Sequence, residues 1–182
     1  MRIEIIIGSP RKNGNTFLLA NALIDSMKNR YTYANITYLY DYTTNPCIDC
    51  RNCKKGSFTC NIKDDTHIVY SKLEYADIII FGTPIYWYGA TGKMKLLIDR
   101  LRPYFMNRKL AGKKAALIIA AGEGENDSLL TIEMFKNVFK TLGIIYMGEV
   151  VTKAYDVGDA YYDANASDSI NQLAIRLIDN EL

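Results

Sequence analysis

Histidine occurs once in this chain, at His67, and cysteine is missing everywhere outside one short stretch. A lone histidine leaves no credible Ser/His/Asp set, and no paired carboxylates stand out for acid–base work. His67 lies just beyond Lys63-Asp64-Asp65, early in a predicted helix, and reads as a surface or capping residue rather than a catalytic base. A strong charge of either sign is lacking too: the net charge is +2, which gives no case for steering nucleic acid. No apolar run approaches the roughly 20 residues of a membrane span. The opening MRIEIIIGSPRK is apolar over too short a stretch for a signal peptide and reads better as a first strand. Together these absences predict a cytoplasmic protein with reduced cysteines. Structural disulfides are then disfavoured, and metal or redox roles gain weight.

What is present fits one domain over residues 1–182, with 49% apolar and 23% charged residues. There is no repeat, low-complexity tract or linker. Strand and helix patterns alternate. Strands are expected at Arg2–Ile7, Ala34–Tyr40, Asp77–Gly82, Lys114–Gly122 and Ile144–Val151. Helices are expected at about Asn15–Asn29, after Asp64 or Asp65, at Thr91–Arg102, at Asp127–Leu142 with Gly143 as its stop, and at Asp168–Ile178. The runs DIIIFG and KAALIIAAG are apolar throughout, as strands buried on both faces should be. Tyrosine occurs 14 times; Tyr31, Tyr33, Tyr38, Tyr40 and Tyr42 cluster on one segment and read as half-buried strand residues or as subunit-interface material.

Such an alternation predicts a parallel sheet covered on both faces, with ligands beyond the carboxyl ends of its strands. Three loops fall there: GSPRKNGNT, TPIYWYGA and AAGEGEND. The first joins a strand to a helix and is rich in small polar residues. Its backbone N–H groups and the helix start suit a phosphate, with Ser9, Asn15 and Thr16 as donors and Arg11 as a charge. It matches neither the P-loop nor the GxGxxG spacing, and a plain strand–helix turn capped by Asn15 or Thr16 is the simpler alternative. In the second loop Pro84 stiffens the backbone and Tyr86, Trp87 and Tyr88 suit a flat ring system. The helix stripe Met94, Leu97, Ile98 and Leu101 reads as core packing, and Lys93 and Lys95 as solvated charges.

GSPRKNGNT, TPIYWYGATGKMKLLIDR and LIIAAGEGE together resemble the NAD(P)H-dependent FMN reductase family of flavodoxin-like proteins, in consistent order and over essentially the whole chain. The resemblance implies an α/β fold: a doubly wound five-stranded parallel sheet of order 2-1-3-4-5 that binds FMN. Carried over, Ser9, Arg11, Asn15 and Thr16 would hold the phosphate. Pro84, Ile85, Tyr86, Trp87 and Tyr88 would line the isoalloxazine, and Ala121, Gly122 and Glu123 would meet the ring. NAD(P)H is the implied co-substrate and a homodimer or homotetramer the implied assembly. No residue need act as a covalent catalyst.

Cys47, Cys50, Cys53 and Cys60 follow a C-x2-C-x2-C-x6-C pattern inside the 45–61 loop. Zinc ribbons usually separate two knuckles by a longer spacer, whereas three cysteines at consecutive two-residue gaps look like a compact iron–sulfur ligand set. The pattern also resembles the motif of iron-sulfur flavoproteins, the cluster-bearing branch of the same family. That implies a 4Fe–4S cluster beside FMN, with ferredoxin as a candidate electron partner. Cluster-free redox or relic thiols, and zinc, remain open readings. Lys54 and Lys55 could offset cluster charge or be ordinary loop lysines. The rivals to an enzyme are a non-enzymatic electron carrier and a zinc-bearing module on the same scaffold.

Overall fold

A computed structural model of the chain describes residues 1–28, 30–31 and 33–178. Its strands are β1 (Arg2–Ile7), β2 (Tyr33–Tyr38), β3 (Ile78–Tyr86), β4 (Gly89–Ala90), β5 (Lys114–Ala121) and β6 (Ile145–Lys153). Its helices are α1 (Asn15–Ser26), α2 (Thr66–Tyr75), α3 (Gly92–Arg100), α4 (Pro103–Asn107), α5 (Glu125–Leu142) and α6 (Ala164–Ile178). The sheet runs β2-β1-β3-β5-β6, all neighbours parallel, and the two-residue β4 pairs antiparallel with β3 alone. Setting that short strand aside, the order is the expected 2-1-3-4-5.

Alternation along the central strands fills two cores. Ile3, Ile5, Ile7, Ile78, Ile80 and Ile118 pack under α1 and α6. Ile6, Ile79, Phe81, Leu117 and Ile119 pack on the other side, under α2, α3 and α5. Phe81, Phe135 and Phe139 form a ring cluster there, with centroids 5.4–5.6 Å apart. A strand buried on both faces has no polar side to show, so its sequence reads as one apolar run. The stripe Met94, Leu97, Ile98 and Leu101 is core, as its spacing predicts.

Several boundaries differ from expectation. The first helix ends at Ser26, and the expected end at Asn29 lies outside the described residues. β3 runs four residues beyond Gly82 and turns back through β4 as a hairpin that the sequence concealed. Two-residue hairpins of this type favour Asn-Gly because both turn residues need positive φ. Here Trp87 and Tyr88 occupy that turn at φ 51° and 62°. Lys93 is tied down rather than simply solvated, donating to the Tyr42 carbonyl at 2.7 Å.

Candidate flavin cleft and cysteine loop

A cleft of about 330 Å³ opens at the carboxyl ends of β1, β3, β5 and β6. One end is the β1–α1 loop. Gly14 is the N-cap of α1, so no side chain caps the helix and its first N–H groups have no intrahelical acceptor. Thr16, almost wholly buried, borders the cleft. Its methyl would lie 2.8 Å from a Cβ at Gly82, so only glycine lets the end of β3 approach the start of α1 this closely. Ser9 Oγ accepts from the Arg11 N–H at 3.1 Å and shapes the loop. Thr91 Oγ1 donates to the Gly8 carbonyl at 2.5 Å and accepts from the Met94 N–H at 3.3 Å, joining the first two loops through a helix cap.

Pro84, Ile85 and Tyr86 form the second wall. Trp87 and Tyr88 do not line the cleft; they sit on the hairpin tip, where Trp87 is 96% exposed. The tip is pinned to α5 by Thr131 Oγ1, which donates to the Tyr88 carbonyl at 3.2 Å. In the third loop Ala120 and Gly122 face the cleft. Ala121 points the other way into the core, because successive strand residues alternate in direction. Glu123 is turned outward, paired to Lys153 at 3.0 Å, while its N–H donates to Asp127 Oδ2 at 3.0 Å. Eight residues singled out from sequence thus meet around one cleft: Ser9, Arg11, Asn15, Thr16, Pro84, Ile85, Tyr86 and Gly122. Trp87, Tyr88, Ala121 and Glu123 stand outside it.

Sequence reasoning missed Asp127, Ala154 and Tyr155, which also border the cleft. Tyr155 lies on the β6–α6 segment and its ring packs on Gly122, 3.1 Å from where a Cβ would stand. A fifth strand beside the fourth loop was the available signal: in a parallel sheet every strand delivers its following loop to the same end.

The cysteine loop is closed at its base by a buried arginine together with direct bonds from the Asn45 N–H to Asp64 Oδ2 at 2.8 Å and from the Thr43 N–H to Asp65 Oδ2 at 2.7 Å. Arg100, in the last turn of α3, donates from Nη1 to the Asn45 carbonyl at 2.8 Å and to Asp64 Oδ2 at 2.7 Å. Both side chains of this ion pair are 1% exposed. Burial alone would raise Asp64, but the Arg100 hydrogen bond and the N–H groups of Asn45 and Thr66 outweigh it and hold the carboxyl below its usual range. Within the loop, Asp49, Arg51 and Phe58 adopt positive φ. Arg102 pairs with Asp49 at 2.6 Å, and Asp49 and the Cys47 thiol raise its pKa. Cys47, Cys50, Cys53 and Cys60 are free thiols bordering one void of about 20 Å³, room for a single water. Burial pushes the Cys53 thiol above its ordinary value. Among the described residues, no three of His, Cys, Asp and Glu are gathered closely enough to hold a metal ion. His67 is a surface residue of α2 whose Nε2 lies 3.1 Å from the Ile62 carbonyl.

A doubly wound parallel sheet with an uncapped helix start and an aromatic-edged cleft beyond its strand ends defines a flavodoxin-like protein. The chain belongs to the NADPH-dependent FMN reductase family, whose model matches residues 1–156. It is an FMN-dependent oxidoreductase. It is 32% identical over 149 residues to an iron-sulfur flavoprotein of Methanocaldococcus jannaschii, covering 82% of this chain and 77% of that one. It is also 32% identical over 185 residues to a Bacillus subtilis protein named as an NAD(P)H-dependent FMN-containing oxidoreductase, covering 97% and 98% of the two chains. The solved structure of the Trp repressor binding protein from Bacillus subtilis superposes with a TM-score of 0.72 at 25% identity, covering 94% of this chain and 96% of that one. No helix among the described residues is long and apolar enough to cross a membrane.

Proposed function

We propose that the chain acts as a single domain that holds FMN in this cleft, with the phosphate over the start of α1 and the ring between the Pro84–Tyr86 segment and Gly122. The observation that carries the reading is the uncapped α1 N-terminus facing a cleft whose far wall is Pro84, Ile85, Tyr86 and Tyr155, with Asp127 the one carboxylate on its lining. Ser9, Arg11 and Thr16 serve the phosphate, by loop shape, charge and a buried hydroxyl respectively. When bound, FMN would supply the hydride- and electron-transfer chemistry, with NADH or NADPH as co-substrate. The protein's part is to bind the flavin, orient it and exclude water from its buried face. No side chain forms a covalent bond. Trp87 and Tyr88 belong to the rim, where a nicotinamide nucleotide, an acceptor or a second subunit would meet them.

The cysteines fit an iron–sulfur cluster by chemistry: four free thiols on one loop facing one void, with arginines nearby to offset thiolate charge. Cys47, Cys50, Cys53 and Cys60 would hold a 4Fe–4S cluster, which supplies one-electron transfer with ferredoxin as partner. The void that the thiols border is small, and Cys50 lies at its solvent side. A cluster-free flavin reductase is the second reading, favoured by thiols not drawn together to metal-ligating distance. A reducing compartment such as the cytoplasm would keep these thiols available as ligands.

Anaerobic purification and iron reconstitution, with metal analysis and a visible spectrum, tests both parts. Stoichiometric FMN is expected, with four irons per chain that are lost in Cys50→Ser. A colourless protein that fails to quench added FMN overturns the flavin reading. One tight zinc per chain, or flavin reduced by NAD(P)H with no metal, overturns the cluster reading alone.

A further inference from the structure

Asn15 was singled out from sequence as a phosphate donor, yet its side-chain amide is turned to a different partner. Nδ2 donates to the Asp156 carbonyl at 2.8 Å, and Oδ1 accepts from the N–H groups of Gly158 at 2.9 Å and Ala160 at 3.3 Å. Three hydrogen bonds therefore reach more than 140 residues along the chain, from the first turn of α1 to the segment between β6 and α6. An amide oxygen accepts two hydrogen bonds, so both acceptor sites of Oδ1 are filled.

The segment that Asn15 grips is organised around it. Asp159 Oδ2 accepts from the N–H groups of Tyr155 and Asp156, at 2.8 and 2.7 Å, which closes a tight turn. Gly158 takes φ 104°, a conformation that favours glycine, and presents its N–H to Asn15. Ala160 is buried and packs in the core beneath α1 and α6. At the other end the Ala154 N–H donates to the Ala121 carbonyl at 2.9 Å, and Tyr155 lays its ring on Gly122. Tyr155 is thus the outer wall of the cleft, 75% exposed and held from below by the strap rather than by packing around its ring.

The geometry points to Asn15 as a positioning residue: it couples the phosphate-loop end of the cleft to the 154–160 strap and so sets the Tyr155 wall at the ring end. This rests on the cleft being the flavin site. A phosphate ligand acts on FMN and not on riboflavin, which has no phosphate. A residue that sets the ring-side wall acts on both alike. Linkage also runs in reverse: a flavin that contacts Tyr155 rigidifies the strap through the same three bonds.

The test compares Asn15→Ala with the wild type by flavin-fluorescence quenching, using FMN and riboflavin, and by hydrogen exchange of the 154–160 amides. Loss of equal affinity for both flavins is expected, about 10-fold, with faster exchange at Gly158 and Ala160. Asp159→Ala, which removes the acceptor that closes the strap's turn and lies outside the cleft lining, is expected to repeat both effects. The Asn15→Ala and Tyr155→Ala effects are expected to be non-additive, because the first acts through the second. FMN weakened with riboflavin unchanged overturns the inference, as do unchanged strap exchange or fully additive effects. If the wild type binds neither flavin, the flavin reading itself fails; the exchange comparison still decides whether Asn15 holds the strap.

Discussion

Thr16 and Glu4 show what single buried polar groups do in this protein. Thr16 combines a methyl packed on Gly82 with a hydroxyl at the cleft, so Thr16→Val removes the hydroxyl while keeping the shape. A hydrogen bond to a charged group contributes about 1.5–3 kcal/mol. FMN affinity is therefore expected to fall about 10- to 100-fold while riboflavin affinity holds, as titration with the two flavins will show. Glu4 lies on β1 away from the cleft and is 3% exposed. Thr37 Oγ1 and Asn35 Nδ2 donate to its carboxyl, and Lys72 from α2 donates to Thr37 Oγ1 at 2.8 Å. Burial outweighs these partners and raises its pKa. The folded state thus holds this proton more tightly than the unfolded chain. Glu4 then costs stability as pH rises from the unfolded carboxylate value near 4.3 through its raised folded value. Glu4→Gln carries no proton to lose. Its stability relative to wild type should climb across that window and then level off, as urea melts at stepped pH will show. A flat difference would remove Glu4 from the account.

At the scale of elements, the cysteine loop and the hairpin are both held under constraint. Arg100 ties Asn45 to Asp64, so the loop is closed without any help from the cysteines. Arg100→Met leaves the Asp64 carboxylate buried and unpaired, a change that costs about 3–5 kcal/mol. We expect a lower urea midpoint and protease cleavage within residues 45–64. Arg100→Met with Asp64→Leu should recover stability but leave the loop open to cleavage. Full resistance in that double variant would show that other contacts hold the loop. The hairpin carries a different constraint, with Trp87 and Tyr88 both in the left-handed region at a cost of about 1 kcal/mol or more each. The fold gains almost no buried area from this strained, 96% exposed indole.

For the whole molecule, that tip is one of several apolar features left in solvent. Phe105 is half exposed, and beside it a groove of about 420 Å³ runs between α3–α4 and α5, lined by Ile98, Leu101, Val138 and Leu142. With a net charge of only +2, long-range repulsion does little to oppose contact between copies. A homodimer or homotetramer is expected in sedimentation at micromolar concentration, and a monomer would count against it. Replacing Trp87-Tyr88 by Asn-Gly, the pair this turn prefers, should raise stability by about 1–2 kcal/mol per chain and weaken self-association. Unchanged association would separate the hairpin from the subunit contact.

The alternating apolar runs and the punctuation between them were enough to specify five parallel strands, their helices and the loops that gather at one end. That information is local: period, breaker residues and caps act over a few residues. Ser9, Thr16, Pro84 and the cysteine spacing were legible for the same reason. The β4 hairpin was not, because Trp87-Tyr88 is a pair that turn chemistry disfavours. Ala121 and Glu123 were placed in the right loop, but strand parity decided which neighbour faces the cleft. The Tyr155 ring on Gly122, the bonds from Asn15 to Asp156, Gly158 and Ala160, and the buried pair of Arg100 with Asp64 join residues 33 to 145 positions apart. Such contacts exist only once the sheet has set the distances between its loops. A side chain's partner in the cleft is therefore a property of the assembled fold, while the loop that carries it is a property of the chain.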